Sequence, residues 1–129
     1  MECVGAVIHD ESGRMLMILR GHEPGMGLWS IPGGRIEPGE THEQALAREV
    51  REETNLRVEC RRLLGTAELP GVDGAVIDVS DYLAVVTGGE LAAGDDAADA
   101  RWVTAADMDG LPLTSGLGGY LTAWGVYPR

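Results

Sequence analysis

Three glutamates in one short segment have the spacing of a metal-binding helix face. Glu49, Glu52 and Glu53 lie within residues 34–56, which read GRIEPGETHEQALAREVREETNL. Residues three and four apart share one face of an α-helix, so these side chains are predicted to lie together. Neighbouring carboxylates repel one another unless a positive charge neutralises them, and carboxylate oxygens are the ligands that Mg²⁺, Mn²⁺ and Ca²⁺ prefer. The pattern predicts a divalent cation site, whereas a solvated acidic face is the alternative interpretation.

The same segment contains the signals that would fix such a helix in place. Leu46 and Val50 form a separate apolar stripe for packing on a core. Thr41, with Gln44 three residues later, predicts a capping box at the N-terminus. Asn55 follows the last glutamate, and asparagine tolerates the left-handed conformation that often ends a helix. The glutamates are therefore predicted to stand on a rigid element.

The spacing of residues 34–56 resembles the Nudix box. Gly34, Glu40, the Arg48-Glu49 pair and the Glu-Glu pair stand at the offsets of that motif, and Asn55 alone departs from it, in place of glycine. A chance match of six identities at fixed offsets, each with roughly 6% background, is very rare. The preceding run, residues 29–33 (WSIPG), also resembles the family. The resemblance implies an α/β fold, an α/β/α sandwich with a mixed sheet between helices.

The resemblance also implies how the site would hold metal. Glu49 and Glu53 would be the principal ligands of Mg²⁺, with Mn²⁺ as a second possibility. Glu52 would be a further ligand or the base that acts on the attacking water. Gly33 would contribute its backbone carbonyl to a metal ion.

Other residues of the box have implied structural roles. Glu40 and Arg48 would form an ion pair that fastens the loop to the helix, and such a pair is costly to break where it is buried. Gly34 belongs to the same structural set. The family also takes an acid from the loop before the last strand. Asp96 is favoured for this catalytic role, Asp99 is a nearer candidate, and a polar loop tip is the alternative interpretation.

The implied activity is a metal-dependent pyrophosphohydrolase that cleaves a phosphoanhydride by attack of water at phosphorus. The substrate would be a nucleoside diphosphate derivative such as ADP-ribose, which Pro70 weakly favours, or a triphosphate such as 8-oxo-dGTP. Arg20 could bind a phosphate, or be an exposed arginine at a strand end. Trp29 could stack on a base, or belong to the core. A nucleotide-binding sensor without turnover is the alternative function.

Length and composition bear on the number of domains, the type of partner and the cellular location. A chain of 129 residues suits a single Nudix domain over residues 1–129. A net charge of −11 argues against binding a nucleic acid polymer, but not against a free nucleotide that carries its own cations. No apolar run reaches membrane-spanning length, and Cys3 and Cys60 form no disulfide framework, so a cytoplasmic location away from membranes is expected. The sequence leaves open whether the protein is a monomer or a homodimer.

Alternation of apolar residues and turn signals predict the order of the elements. Besides the box helix, a C-terminal helix is predicted over residues 115–125. The predicted strands cover residues 4–9, 15–20, 29–31, 35–37, 57–68, 75–87 and 100–103.

Overall fold

The computed structural model describes residues 1–23, 25–94 and 97–129. In these ranges seven strands and three helices follow the order β1 (Glu2–Ile8), β2 (Met15–Arg20), β3 (Trp29–Ser30), β4 (Gly33–Arg35), α1 (His42–Thr54), β5 (Leu56–Pro70), β6 (Val76–Gly89), β7 (Ala97–Val103), α2 (Ala105–Asp109) and α3 (Leu117–Ala123). A 3₁₀ turn at Val72–Gly74 joins β5 to β6.

The strands are distributed over two sheets. The larger has the order β4-β1-β6-β5 and is mixed, because β1 is parallel to β6 and antiparallel to β4. The smaller sheet is antiparallel with the order β3-β2-β7. The predicted α/β architecture with a mixed sheet is confirmed. Beside the turn that joins them, β1 and β2 meet at the isolated bridge between His9 and Met15. Beyond this bridge, β1 pairs within the larger sheet and β2 pairs within the smaller one.

Helices α1 and α3 pack against different clusters of buried side chains, and β1 contributes to both because its side chains alternate between the two faces of the sheet. The α1 cluster contains Leu46 and Val50, so the predicted packing stripe is confirmed. The α3 cluster contains Leu117 and Leu121, together with Val7 of β1. The larger sheet is therefore covered by α1 on one face and by the α3 cluster on the other. Its edge strand β4 lies beside α1.

Several elements differ from the sequence prediction, among them β7, which begins at Ala97 and not at residue 100. The strand expected over residues 35–37 occurs at Gly33–Arg35, where two glycines let β4 pair closely with β1. The C-terminal helix is shorter than predicted, and its N-cap, Gly116, has a left-handed φ of 80°. Helix α2 was not predicted, although Thr104 and Asp107 form a capping box at its start. In the described ranges, no helix is long and apolar enough to cross a membrane.

Candidate active site

Both ends of α1 are fixed by hydrogen bonds. Thr41 Oγ1 accepts from the Gln44 amide at 3.1 Å, and Gln44 Oε1 accepts from the Thr41 amide at 2.9 Å, so the predicted capping box is confirmed. At the other end Asn55 has a left-handed φ of 64°, as expected. Its Nδ2 donates to the Glu90 carbonyl at 2.9 Å, which ties the end of the helix to the segment after β6. The side chains between these ends are therefore held on a well-fixed element.

Arg48 lies at the centre of an ion-pair network beside the loop. Its Nε and Nη2 each donate to a different carboxylate oxygen of Glu40 at 2.8 Å, which confirms the predicted pair as bidentate. Its Nη1 lies 2.9 Å from Glu49 Oε1 and 3.4 Å from Glu52 Oε2. Its Nη2 also donates to the Arg35 carbonyl at 3.0 Å. One guanidinium therefore joins the loop after β4 to two of the three glutamates.

This network keeps the pair ionised at neutral pH. The hydrogen bonds from Arg48, followed by that from the Glu37 amide, lower the pKa of Glu40 to about 2. The hydrogen bond to Glu40 in turn raises the pKa of Arg48, with Glu49 adding to the effect. Glu40 and Arg48 therefore stay ionised as a salt bridge between loop and helix over the physiological pH range.

Gly33 and Gly34 at the start of β4, called the glycine loop below, approach the glutamates because they carry no side chains. The Gly33 amide donates to Glu53 Oε1 at 2.8 Å, and Glu53 is only 5% exposed. A Cβ on Gly33 would collide with the Val4 carbonyl oxygen. A Cβ on Gly34 would lie 2.6 Å from Glu49 Oε2, closer than real contacts allow. Gly33 is therefore required where β4 lies against β1, and Gly34 is required where β4 lies against α1.

The donor set of this region fits a hard divalent cation. Glu49, Glu52 and Glu53 supply carboxylate oxygens from successive turns of one helix, and the Glu49 carboxylate occupies the space that a side chain on Gly34 would fill. In the part of the chain that the structure describes, no three acidic, histidine or cysteine side chains already converge as a ligand set. A bound ion would compete with the Arg48 guanidinium for Glu49 and Glu52.

Arg20 is the last residue of β2. Burial and the charge of Glu49 raise the pKa of the Cys3 thiol, whereas the charges of Arg35 and Arg20 lower it. Arg20 and Glu49 are thus both near enough to Cys3 to influence its ionisation. The Arg20 Nε also lies 3.2 Å from the position of a Cβ on Gly25, so its side chain runs along the loop after β2. The role of Arg20 as a phosphate ligand stays a prediction.

Trp29 lies in the core, which was the alternative interpretation of this residue, whereas the structure describes only one of the two candidate loop acids. Trp29 is 5% exposed in the α3 cluster, and the Arg101 guanidinium lies 5.0 Å from its ring centroid. A stacking role would require Arg101 to give way to a base. Asp96 lies outside the described residues. Asp99, the nearer candidate, accepts from Arg101 Nε at 2.8 Å.

A further acid, Asp81 of β6, was not singled out from the sequence. It is 6% exposed, and its Oδ1 has no hydrogen-bond partner among the described residues. Burial raises the pKa of Asp81 to about 6. The available signal was an acid within the apolar strand pattern of residues 79–86, VSDYLAVV.

Comparison with known proteins agrees with this geometry. A family model described as the NUDIX domain matches residues 1–123. The chain therefore belongs to the Nudix family, and the family predicted from residues 34–56 is confirmed. The MutT protein from Methanosarcina mazei Go1 has the same fold, with a TM-score of 0.84 at 21% identity over 97% of this chain and 92% of that one.

Two curated relatives indicate the chemistry found among similar sequences. The chain is 41% identical over 107 residues to the ADP-ribose pyrophosphatase of Methanocaldococcus jannaschii, covering 81% of this chain and 61% of that protein. It is 40% identical over 92 residues to the 8-oxo-dGDP phosphatase NUDT18 of Mus musculus, covering 71% of this chain and 27% of that protein. The chain thus spans less than two thirds of either relative.

Proposed function

We propose that this protein is a metal-dependent pyrophosphohydrolase that cleaves a phosphoanhydride of a nucleoside diphosphate derivative or a nucleoside triphosphate. The observation that carries the proposal is the contact of the Gly33 amide with Glu53, which holds the glycine loop against the acidic face of α1. Relatives named for pyrophosphatase and phosphatase activities on nucleotides support it. Hydrolases of this family generally need a divalent metal ion.

Glu49, Glu52 and Glu53 would hold the ion, with the Gly33 carbonyl as a further ligand. We propose Mg²⁺, with Mn²⁺ as a substitute, because all of these donors are oxygen atoms. When bound, such an ion neutralises phosphate oxygens and lowers the pKa of water. Asp96 is proposed to complete the acidic set from the loop before β7.

The residues around the ion would orient the reaction. As the alternative to binding the ion, Glu52, whose side chain is 47% exposed, can reach solvent and accept a proton from the attacking water. Arg48 holds Glu49 and Glu40 in fixed positions, which keeps the acidic face in place before substrate arrives. Arg20 would bind a phosphate oxygen and hold the anhydride in line with the attacking water. The products would be two phosphate-containing fragments, with the oxygen of water on the attacked phosphorus.

Two substrate classes follow from the relatives, namely ADP-ribose-like diphosphates and oxidised guanine nucleotides. Pro70, the residue that favoured ADP-ribose, ends β5 at the tip of the β5–β6 hairpin and pairs with Val76. That position is also what a turn requires, so Pro70 does not choose between the classes. Trp29 would contribute to base binding only if Arg101 moved from its ring.

We further propose a single catalytic domain over residues 1–129 that works in the cytoplasm as a monomer or homodimer. Cys3 and Cys60 are both free thiols, which suits a reducing compartment. The net charge of −11 favours a small nucleotide over a nucleic acid polymer as the partner.

A hydrolysis screen tests the proposed function. Purified protein would be incubated with Mg²⁺, Mn²⁺ or EDTA and with ADP-ribose, NADH, dinucleoside polyphosphates, nucleotide sugars and normal or oxidised dNTPs, and the products would be separated by chromatography. We expect one class to be cleaved clearly faster and EDTA to abolish the reaction. No hydrolysis of any compound with either metal would contradict the proposal and favour a nucleotide-binding sensor.

A further inference from the structure

A cleft lies between the C-terminal end of α1 and the segment that follows β6. Its volume is about 530 Å³, and small-ligand pockets have volumes of this order. The helix side of the cleft is lined by Arg48, Arg51, Glu52 and Asn55, and the other side by residues 92–94. Because Glu52 is a proposed metal ligand, the cleft begins where the proposed metal site ends.

Backbone hydrogen bonds hold the far wall of this cleft against the helix. The Ala92 amide donates to the Thr54 carbonyl at 3.0 Å, and the Gly94 amide donates to the Glu53 carbonyl at 2.9 Å. A Cβ on Gly94 would overlap the Glu52 carbonyl oxygen, so only glycine allows this close approach. The two bonds also satisfy carbonyls that the end of a helix leaves without donors. The cleft is therefore a fixed feature of the fold.

The two arginines that line the cleft have different surroundings. The donors of Arg48 are engaged by the loop after β4 and by the neighbouring glutamates. Arg51 is exposed, and its side chain has no hydrogen bond or ion pair with any of the described residues. A cation in the last turn of a helix is favourable, but that interaction leaves the five N–H groups of the guanidinium unused. Arg51 therefore brings an unused fork of donors to the cleft.

A terminal phosphate is the group that this fork fits. A guanidinium binds phosphate oxygens through two parallel N–H···O bonds. A terminal phosphate carries a charge of about −1.5 to −2 near neutral pH, because its second pKa is about 6. A phosphate that is linked on both sides carries a single charge, and a sugar carries none. The small side chains of Ala92 and Ala93 on the opposite wall leave room for the phosphate.

The position of the cleft decides which part of a substrate would reach Arg51. An ion held by Glu49, Glu52 and Glu53 would bind phosphates beside the scissile bond. Neighbouring phosphates of an anhydride share one oxygen atom, so the next phosphate must lie beside the ion. Since Glu52 and Arg51 line the same cleft, a terminal phosphate that extends from the ion past Glu52 would meet the guanidinium.

We propose that Arg51 binds the terminal phosphate of a nucleoside di- or triphosphate. Arg51 thereby selects this class over a nucleoside diphosphate whose second phosphate is esterified to a sugar. The inference rests on the proposed function for the position of the ion. It assigns to Arg51 a contact with the ligand, and to residues 92–94 the role of forming the opposite wall of the phosphate subsite.

A titration without metal tests the contact separately from turnover. Pyrophosphate would be added to the wild type, Arg51→Gln and Arg62→Gln in metal-free buffer of low ionic strength, with the arginine Nε–H signals followed by NMR. Arg62 is the matched control, because it is exposed on β5 and also has no partner among the described residues. We expect the Arg51 signal to shift and Arg51→Gln to weaken binding about tenfold, since one charged bidentate contact is lost. Arg62→Gln should leave the affinity unchanged.

Three results of this titration would overturn the proposal. The first is an Arg51 signal that does not shift in the wild type, which tests the contact without any variant. The second is equal affinity of the wild type and Arg51→Gln for pyrophosphate. The third is equal weakening by Arg62→Gln, which would mean that net charge and not a contact is measured. Both variants replace exposed side chains that lack partners in the described chain, so both are expected to fold.

Kinetics separate this inference from the proposed function. With Mg²⁺, kcat/KM for the preferred nucleoside di- or triphosphate should fall about tenfold in Arg51→Gln and stay unchanged in Arg62→Gln. An equal fall in kcat/KM for ADP-ribose would overturn the assignment, because ADP-ribose has no terminal phosphate. Hydrolysis of ADP-ribose but of no di- or triphosphate would overturn the inference and leave the proposed function standing. If the wild type hydrolyses nothing, the proposed function fails, and the titration still decides whether Arg51 binds phosphate.

Discussion

Glu53 and Asp81 show how the partner of a buried carboxylate decides what that carboxylate can do. Both side chains are about 5% exposed. Glu53 accepts a hydrogen bond from the Gly33 amide, so burial holds it in place beside the glycine loop. Asp81 Oδ1 lacks a partner in the described part of the chain, and burial raises its pKa to about 6. The first acid is held by a backbone donor, whereas the second keeps a buried carboxyl oxygen without a hydrogen bond among the described residues.

The raised pKa of Asp81 predicts a particular dependence of stability on pH. Its value is 3.8 unperturbed and about 6 in the folded protein, so the folded state binds more protons than the unfolded state between these values. Stability contributed by protonated Asp81 is present below pH ~4 and is lost as the pH rises through 6. Asp81→Asn does not titrate, so relative to wild type its free energy of unfolding should rise by about 2 kcal/mol between pH 4 and pH 7.5.

Urea denaturation at several pH values measures this difference, with Asp73→Asn as the control for loss of one charge. The control should keep a nearly constant difference from the wild type over the same range. Parallel stability profiles for Asp81→Asn and the wild type would show that Asp81 titrates normally in the folded protein.

At the scale of elements, the helix α1 owes its position to its two ends and to Arg48. The end at Asn55 combines a left-handed residue with the hydrogen bond from its side chain to the Glu90 carbonyl. Glycine would remove the backbone strain but also this bond, whereas alanine would keep the strain and lose the bond. We expect Asn55→Ala to destabilise the protein by about 1–2 kcal/mol and Asn55→Gly to change stability by less than about 1 kcal/mol.

Chemical denaturation of these two variants tests the balance between strain and the side-chain bond. Equal destabilisation by alanine and glycine would mean that the bond to Glu90 carries the whole effect. A clear stabilisation by glycine would mean that strain dominates and that the bond contributes little.

Elements with local signals were predictable from the sequence, and elements that depend on distant contacts were not. The capping box of Thr41 and Gln44, the strand Met15–Arg20 and the ion pair of Glu40 with Arg48 follow from spacing along the chain or from the family motif. The strand Gly33–Arg35 forms because β1 pairs with it, although glycine disfavours strands. Asp81 was missed for the same reason, since its lack of a partner appears only when Gly5 is brought opposite it.

At the scale of the whole molecule, the net charge of −11 makes the folded protein sensitive to cations. Compaction brings like charges together, so salt should stabilise the protein by screening them. A specific metal site adds a second effect, because an ion that binds only the folded state stabilises it by mass action. Mg²⁺ should therefore raise Tm by more than NaCl of equal ionic strength.

Thermal unfolding of the wild type and Glu53→Gln in the two salts separates these effects. The variant should keep the rise in Tm caused by screening and lose most of the excess caused by Mg²⁺, since it lacks one proposed ligand. Identical rises in Mg²⁺ and NaCl for the wild type would contradict a specific metal site on the folded protein.

The most direct measurement of the central claim is the turnover of Glu53→Gln on the substrate preferred in the hydrolysis screen. Glu43→Gln is the matched control, because Glu43 is an exposed acid in the first turn of the same helix. Loss of a metal ligand should lower kcat by roughly two orders of magnitude or more in Glu53→Gln. Circular dichroism should show that the variant keeps the wild-type fold. Glu43→Gln should stay near wild type. Near-normal turnover by Glu53→Gln, with metal still bound, would contradict the assignment of this helix face as the catalytic metal site.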